Sequence, residues 1–488
     1  MINIASILKS KEHVNIEVKA ASKGIPNSIW DTYSSFCNTF GGTIILGIAE
    51  EKVTKNFIPK GIENPQQMLS DIWNTLNNRQ KVSANILLEH HVYPVDYNGM
   101  SFIVIEVPRA DRRDKPIFIG HDMFKGTFRR NHEGDYHCSA EEVKSMLRDQ
   151  TDTSQDALVL ENLLISDLNQ DSVHRYRILF NNLKPDHIWA KLGNEEFLLK
   201  IGAARKSQND GKIHPTLGGL IFFGDFITIT DELPNYFLDY REHLSSDIRW
   251  SDRVSSGDGT WSGNIFDFYY KVIDRLTADI KKPFKLDSNL LRVDDTSIHK
   301  SLRECLANAL IHADFYGRRG IIVDKEFRKI TISNPGTFRI SIDEAIAGGI
   351  SDARNGKIFN MFSLINVGER SGTGICDVYH VWDENGFKKP TFTETVNPER
   401  VVLTLQTEAD GNIDNTDGNS DGNPDGNLTQ NEMLVLQVIS QTPGLSAAKV
   451  GSHIGISKPS VERVLHSLKK KGIIRREGST RGKWIILR

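Results

Sequence analysis

Three glutamates and a lysine near the start of the chain have a spacing that suits phosphodiester chemistry. In EHVNIEVKA, apolar residues alternate from position 14 to 18, which predicts a strand with Glu17 and Lys19 together on its other face. Glu12 precedes Glu17 by an odd number of residues, so in a continuous strand its side chain would point to the opposite face. It joins Glu17 and Lys19 only if the chain turns before the strand begins. Glu50 follows a second strand-like segment, TIILGIA.

The chemistry open to this acidic group is metal-assisted hydrolysis. Grouped carboxylates suit a hard divalent ion such as Mg²⁺ or Mn²⁺, which can activate water for attack on a phosphodiester. Lys19 would then stabilise the charge that develops on the phosphate. The alternative is a solvated strand edge, in which a Glu17–Lys19 ion pair contributes little stability.

A second candidate site combines one helix with two glycine-rich turns. In the helix predicted for residues 301–312, Glu304, Asn308 and His312 recur every four residues and share one stripe. The turns SNPGTF and GERSGTGI contain glycines, so their backbone N–H groups can approach phosphates closely. These features together favour a nucleotide site, whereas the helix by itself would indicate only an amphipathic surface.

Basic residues provide candidate nucleic-acid contacts in two parts of the chain. In the N-terminal part these residues are Arg112, Arg113, Lys115, Lys125, Arg129 and Arg130. In the C-terminal part they are joined by a serine, and the set is Lys458, Ser460, Arg463, Arg481 and Lys483. The alternative for the first set is a merely solvated face, and for the second a domain that binds only protein.

The elements that must position these residues divide the chain into five segments, which predicts an α+β multidomain protein. Residues 1–150 form an α+β unit, 151–285 a mixed connecting domain and 286–408 a unit that alternates helix and strand. Residues 409–428 are rich in Asp, Gly and Asn and form a flexible linker. Residues 429–488 contain three helices and a hairpin, and resemble a winged helix-turn-helix whose third helix enters the major groove.

The first segment resembles a Schlafen AlbA-like domain. The resemblance rests on E-x-x-x-x-E-x-K at residues 12–19, on IWDTYSSFCNTFGG and ILGIAEE, and on the later segments RRDKPIFI and KGTFRRN. It implies that Glu12, Glu17 and Glu50 are the metal ligands and catalytic acids of an endonuclease. The third acid is usually Asp in such enzymes, and Glu51 competes for its place. Many domains of this family are known mainly as nucleic-acid binders.

The segment 286–408 resembles the GHKL ATP-binding fold, an α/β sandwich, through E-x-x-x-N-A-x-x-H, N-P-G and G-x-x-x-G-x-G. The resemblance implies that Asn308 binds Mg²⁺ and that Glu304 activates water if ATP is hydrolysed. The other ATP-binding residues that it implies are His312, Asn334, Gly336, Gly368, Gly372 and Gly374. The usual D-x-G-x-G is replaced by residues 333–336, which puts adenine recognition in doubt; the alternative is a lobe that serves only dimerisation or packing.

Relatives of this branch are often labelled RecG-related helicases, but the sequence does not support helicase activity. The nearest string to a Walker A loop, GSTRGKW, has the wrong spacing and lacks Ser or Thr after its lysine.

Composition fits an ordinary globular protein. Hydrophobic residues make up 39% and charged residues 25% of the chain, and its net charge is −3. The four cysteines are isolated, so neither a zinc site nor a disulfide framework is expected. The sequence shows neither a signal peptide nor a membrane-spanning run, and we therefore expect a cytoplasmic protein without a membrane partner.

These observations predict a nucleotide-regulated effector that binds DNA or RNA, uses ATP and Mg²⁺ or Mn²⁺, and forms homo-oligomers. Its N-terminal acids would make it a metal-dependent endonuclease, and by analogy such a protein would suit antiviral defence. The main alternative is a non-catalytic, ATP-binding transcriptional regulator that binds DNA at both ends. A third possibility is an assembly scaffold.

Overall fold

The structure is a computed structural model of the chain. It describes residues 3–9, 15–22, 24–51, 56–243, 249–278, 280, 296–368, 372–407, 430–442, 444–454, 458–470, 473–477 and 483–487. The chain divides into two compact units, residues 1–412 and residues 413–488. Each unit has hydrophobic cores of its own.

The N-terminal part of the first unit is built on a four-stranded sheet. Its elements are α1 (Ile4–Ile7), β1 (Ile16–Lys19), α2 (Ser28–Asn38), β2 (Gly42–Leu46), β3 (Ile48–Glu50), β4 (Phe57–Pro59), α3 (Pro65–Leu76), β5 (Val92–Tyr97), β6 (Met100–Val107), α4 (Met123–Gly126), β7 (Phe128–Asn131), β8 (Gly134–His137) and α5 (Ala140–Gln150). The strand order is β1-β2-β6-β5, with β1 and β2 parallel.

The central strand β2 is apolar because both of its faces are covered. Ile44 and Leu46 belong to the core that contains the buried side of α2, whereas Ile45 belongs to a second core together with Ile4 of α1. The sheet therefore carries one helix layer on each side, in agreement with the predicted α+β class.

The rest of the first unit surrounds a six-stranded sheet. The elements up to residue 277 are α6 (Gln170–Leu183), α7 (Asn194–Ile201), β9 (Ala204–Lys206), β10 (Ile213–Pro215), α8 (Leu217–Phe223), α9 (Phe226–Glu232), β11 (Leu238–His243), β12 (Asp252–Ser255) and α10 (Ile265–Thr277). The later elements are α11 (Ser297–His312), β13 (Ile321–Glu326), β14 (Lys329–Pro335), α12 (Ile342–Ala347), α13 (Gly356–Leu364), α14 (Gly374–Glu384), β15 (Thr391–Val396) and β16 (Glu399–Gln406). The strand order is β12-β11-β13-β14-β16-β15.

This sheet crosses the predicted boundary at residue 285. Strands β11 and β12 come from the segment 151–285, yet β11 pairs in parallel with β13, and one apolar cluster extends from Leu160 to Leu405. Local sequence patterns do not show such pairing, because parallel neighbours are joined by a long crossover. The helix α8 is apolar along its whole length because every one of its residues is buried.

The second unit contains three helices and a two-stranded antiparallel hairpin. Its elements are α15 (Gln430–Gln441), α16 (Ala447–Ile454), α17 (Lys458–Lys470), β17 (Ile474–Glu477) and β18 (Lys483–Ile486). Val435, Val461 and Leu468 are fully buried in its core. These elements match the predicted winged helix-turn-helix.

Membrane-spanning helices are not found among the described residues, where every helix is too short or too polar to cross a bilayer.

Candidate functional site

A cavity beside α11 brings together most of the residues predicted to bind a nucleotide. Its lining includes Glu304, Asn308, His312, Asn334, Gly372 and Gly374. Apolar side chains complete the lining, among them Ile332, Val378, Phe392, Val401 and Leu403. Gly336 and Gly368 do not line it. A few convergent polar groups in an otherwise apolar cavity are typical of a small-molecule site.

The helix α11 presents its polar stripe to the cavity because its other face is buried in the core. The buried leucines of that face are Leu302, Leu306 and Leu310. A capping box begins the helix, in which the Thr296 hydroxyl accepts a hydrogen bond from the backbone N–H of His299. Within the stripe, Asn308 Nδ2 donates to Glu304 Oε1 over 3.1 Å. The amide oxygen of Asn308 is thereby the atom with which this residue can bind a cation.

Two glycines allow the backbone before α14 to lie close to the cavity. At Gly374 a Cβ would collide with Glu304 Oε1, and at Gly372, where φ is +70°, it would lie 2.8 Å from the backbone nitrogen of Ile350. The N–H of Gly349 donates to the Gly372 carbonyl over 3.1 Å. Because α14 begins at Gly374, an eleven-residue helix starts at the cavity, and helix N-termini favour phosphate groups.

The part of the cavity lined by His312 and Asn334 offers neutral hydrogen-bonding groups. Burial, followed by the charges of Arg354 and Arg339, lowers the pKa of His312 to about 4, so its imidazole is uncharged at neutral pH. Asn334 lies at the end of β14 with 7% exposure. An imidazole and an amide can each donate and accept, which suits a neutral heterocycle.

The N-terminal acidic group is arranged differently from the prediction. Glu17 is only 7% exposed, and both of its carboxylate oxygens are paired: Oε1 lies 2.6 Å from Lys19 Nζ, and Oε2 lies 2.9 Å from Arg130 Nη2. Glu50 ends β3, and Glu12 lies outside the described residues. A solvated strand edge is therefore not what the structure shows.

A divalent metal does not fit the part of this group that the structure describes. Among the described residues, no three His, Cys, Asp or Glu side chains converge in a way that could hold a metal ion. Arg130 also lies 3.0 Å from Asp135, so a guanidinium occupies the space between two carboxylates. Ion pairs of this kind neutralise the acids that a cation would otherwise need.

The predicted phosphate contacts of residues 112–130 must be corrected for four of the six side chains. Arg130 has 2% side-chain exposure. Lys115 is buried and donates to the Asn38 carbonyl over 3.0 Å, and burial, with Arg109, lowers its pKa to about 7. Arg112 and Arg129 are 11% and 12% exposed and are paired with Asp352 and Glu142. Arg113 and Lys125 have side-chain exposures of 67% and 85%.

Family models match four stretches of the chain. Residues 12–139 match "Schlafen, AlbA_2", and residues 144–239 match a domain of unknown function, DUF8451. Residues 327–404 match "Putative ATP-dependent DNA helicase recG C-terminal", and residues 427–483 match "MarR family". This chain combines AlbA_2, RecG C-terminal-like and MarR-like domains. The domain architecture predicted from the sequence is thereby confirmed, and it indicates a nucleic-acid-binding regulator.

Solved structures offer only distant comparisons. The DIP2311 protein from Corynebacterium diphtheriae is 17% identical, with 99% of this chain and 96% of that chain covered and a TM-score of 0.40. The N-terminal domain of a RecG-related protein from Nitrosomonas europaea is 24% identical, with 28% of this chain and 94% of that chain covered and a TM-score of 0.23. No curated protein is significantly similar to this chain.

The MarR-like domain holds the remaining predicted contacts. Lys458, Ser460 and Arg463 lie in the first half of α17, and Lys483 begins β18. Arg481 lies outside the described residues. The contact of these residues with DNA remains a prediction from the sequence.

Several residues that line the cavity beside α11 were not predicted as site residues, although Thr337 and Phe338 belong to the SNPGTF turn. Thr337, Phe338 and Arg339 follow the SNPG turn, and Asp352 lies farther along the chain. The first three could have been suspected because they continue directly from a predicted site residue. The position of Asp352 depends on tertiary structure, and no local pattern reveals it.

Proposed function

We propose that this protein is an ATP-dependent DNA-binding regulator. ATP would bind in the cavity of the RecG C-terminal-like domain, and the MarR-like domain would bind duplex DNA. The observation that supports this most strongly is the convergence of Glu304, Asn308, Gly372 and Gly374 around one cavity. The pair Glu304 and Asn308 lies far from the pair Gly372 and Gly374 in sequence, and the four residues carry chemistry suited to a metal-bound triphosphate.

Each part of the cavity suits one part of ATP. The start of α14 would receive the phosphates, and the oxygens of Asn308 and Glu304 are the ligand type that Mg²⁺ prefers. The neutral His312 and Asn334 would hydrogen-bond the base. The apolar lining, which includes Ile332, would exclude water from the faces of the base.

ATP binding is tested by titration calorimetry with Mg²⁺ on the full chain. Asn308→Ala should weaken ATP at least about tenfold, because it removes a cation ligand and the partner of Glu304. Asn74→Ala is the matched control, since Asn74 is exposed on the distant helix α3. Equal ATP affinity in wild type and Asn308→Ala would contradict the proposed site.

DNA binding is tested with labelled duplexes from an unbiased selection, with and without ATP. Lys458→Ala and Arg463→Ala should each weaken binding several-fold and reduce its salt dependence, because each removes a cation predicted to lie near the duplex. Failure to select any duplex would argue against the regulator.

A metal-dependent endonuclease is the second candidate, and the observation that favours it is the AlbA_2 match over residues 12–139. The pairing of Glu17 with Lys19 and Arg130 weighs against it. The discriminating assay incubates structured RNA, single-stranded DNA and duplex DNA with Mg²⁺ or Mn²⁺. Cleavage that is lost in Glu17→Gln would establish the nuclease and a route to a defence role, whereas absence of cleavage is the result expected for the regulator.

A further inference from the structure

One wall of the nucleotide cavity is held in place by the N-terminal part of the chain. Phe338, which lines the cavity, has both of its backbone groups fixed. Its N–H donates to Glu394 Oε1 over 2.6 Å, and its carbonyl accepts from Arg109 Nη2 over 2.7 Å. Arg109 and Glu394 also contact each other, because Arg109 Nη1 lies 2.6 Å from Glu394 Oε2. Arg109 follows β6, the last long strand of the AlbA_2 sheet.

A second contact reaches Asp352, another residue of the cavity lining. Arg112 Nε lies 2.5 Å from Asp352 Oδ2, and Arg112 Nη1 donates to the Asp149 carbonyl over 2.7 Å. The other oxygen of Asp352 lies 3.4 Å from Arg339, which also lines the cavity. Arg112 therefore ties one wall of the cavity to the last turn of α5.

A third contact runs through Asp149 and Arg354. Arg354 Nη1 lies 2.7 Å from both carboxylate oxygens of Asp149. The same guanidinium donates from Nη2 to the Thr337 carbonyl over 2.8 Å and from Nε to the His312 carbonyl over 3.1 Å. Thr337 and His312 both line the cavity. Arg354 thus connects the Asp149 carboxylate of α5 to the backbone of Thr337 and His312.

These three contacts are largely shielded from solvent, and a change in any of them would therefore affect the residues that line the cavity. The side-chain exposures of Arg109, Arg112 and Arg354 are 18%, 11% and 7%. When one partner of a buried ion pair is removed, the other is left uncompensated and the surrounding structure must rearrange. Because the partners are backbone and side-chain atoms of lining residues, such a rearrangement would change the shape of the cavity itself.

We propose that Arg109 and Arg112 are positioning residues of the nucleotide site, through which the AlbA_2 domain sets the affinity for ATP. The inference rests on the proposed function, since it concerns the regulation of the same site. Binding coupling is reciprocal, so ATP in the cavity must also change the part of the AlbA_2 domain that contains these arginines. The site of the RecG C-terminal-like domain is thus completed by residues that precede that domain.

The test compares two alanine variants of the full chain, each lacking one arginine that joins the same two regions. Arg112→Ala removes the partly buried contact with Asp352. Arg318→Ala removes an exposed contact with Glu141 of α5, where the two side chains are 65% and 51% exposed, and it spares the cavity lining. Isothermal titration with ATP and Mg²⁺ should show about tenfold weaker binding for Arg112→Ala and unchanged binding for Arg318→Ala.

Hydrogen exchange separates positioning from mere stability. In wild type, ATP should slow the exchange of amides at residues 109–113 and 140–150, none of which line the cavity, and this response should disappear in Arg112→Ala. A purely structural role would lower the unfolding temperature and leave both the ATP affinity and the exchange response unchanged.

A second variant keeps the test independent of folding defects in the first. Asp352→Asn retains the shape of the partner, and a double-mutant cycle with Arg112→Ala should give a non-additive effect on ATP affinity. Wild-type affinity in both single variants would overturn the inference while leaving the proposed function intact. If wild type itself does not bind ATP, the proposed function fails, and the inference fails with it.

Discussion

His312 is a half-buried base in the wall of the cavity beside α11. The pKa of His312 is lowered from 6.5 to about 4 in the folded chain. Between these two pH values its imidazole is mainly neutral in the folded chain and mainly protonated in the unfolded chain. Unfolding therefore takes up a proton between these pKa values, and the stability of the fold falls as the pH is lowered through this window. Above pH 6.5 the group is neutral in both states and makes no such contribution.

We predict that His312→Gln abolishes this part of the pH dependence. Between pH 6.5 and pH 4 the wild type should lose up to about 3 kcal/mol relative to the variant, since each pKa unit corresponds to about 1.4 kcal/mol. Urea unfolding at several pH values measures the difference. Parallel curves for the two proteins would show that His312 is protonated as easily in the folded chain as in the unfolded one.

At the residue scale, the sequence predicted which residues belong to a site better than it predicted which residues contact one another. Glu304, Asn308 and His312 could be placed on one face because helical periodicity is local, and the structure gathers them as predicted. Arg130 was predicted to contact a phosphate backbone. The sequence of a family motif does not distinguish an exposed basic residue from one that is paired with carboxylates. Its carboxylate partners, Glu17 and Asp135, come from other strands, and only the tertiary fold reveals them.

Arg130 joins the hairpin β7–β8 to β1, a strand of a different sheet. Its guanidinium lies 2.9 Å from Glu17 on β1 and 3.0 Å from Asp135 on β8, while its own backbone belongs to β7. The guanidinium also lies over the ring of Phe36 in α2, 5.1 Å from its centroid. One arginine therefore fixes the separate hairpin β7–β8 against the main sheet.

Arg130→Met should destabilise the chain by about 3–5 kcal/mol, because the partly buried Asp135 would lose its arginine partner and the buried Glu17 would keep only Lys19. Chemical denaturation followed by far-UV circular dichroism gives the free energy of unfolding. Lys125→Met serves as the control, since that side chain is 85% exposed, and it should change the stability by less than about 0.5 kcal/mol. An equally small effect at Arg130 would mean that the hairpin is held by its apolar contacts.

At the scale of elements, long periodic segments were predicted well and distant pairings were not. The helix α11 covers the predicted residues 301–312, and α15, α16 and α17 are the three helices predicted for residues 429–488. The pairing of β11 with β13 was missed, since the two strands are separated by β12, α10 and α11. Nothing in either strand indicates its neighbour.

The two-unit organisation makes a prediction for the whole molecule. All residues that line the proposed nucleotide cavity lie between Glu304 and Leu403, inside the unit that ends at residue 412. A chain shortened to residues 1–412 should therefore bind ATP as the full chain does while losing most of its affinity for duplex DNA, because α17 is absent. Calorimetry and a fluorescence anisotropy titration would measure both, and retained DNA affinity would point to the AlbA_2 domain as the main DNA contact.

The contacts of Arg109 and Arg112 also bear on how the chain folds as it leaves the ribosome. The AlbA_2 sheet can close once Val107 has been synthesised, but Asp352 and Glu394 come 240 and 285 residues after their arginine partners. Domains generally fold in order during synthesis. Arg109 and Arg112 therefore remain exposed to solvent after the AlbA_2 sheet has folded, while more than half of the polypeptide is still to be synthesised. Docking of the two domains is then among the last events of synthesis, and any ribosomal stall before residue 394 leaves a cationic surface exposed on the nascent chain.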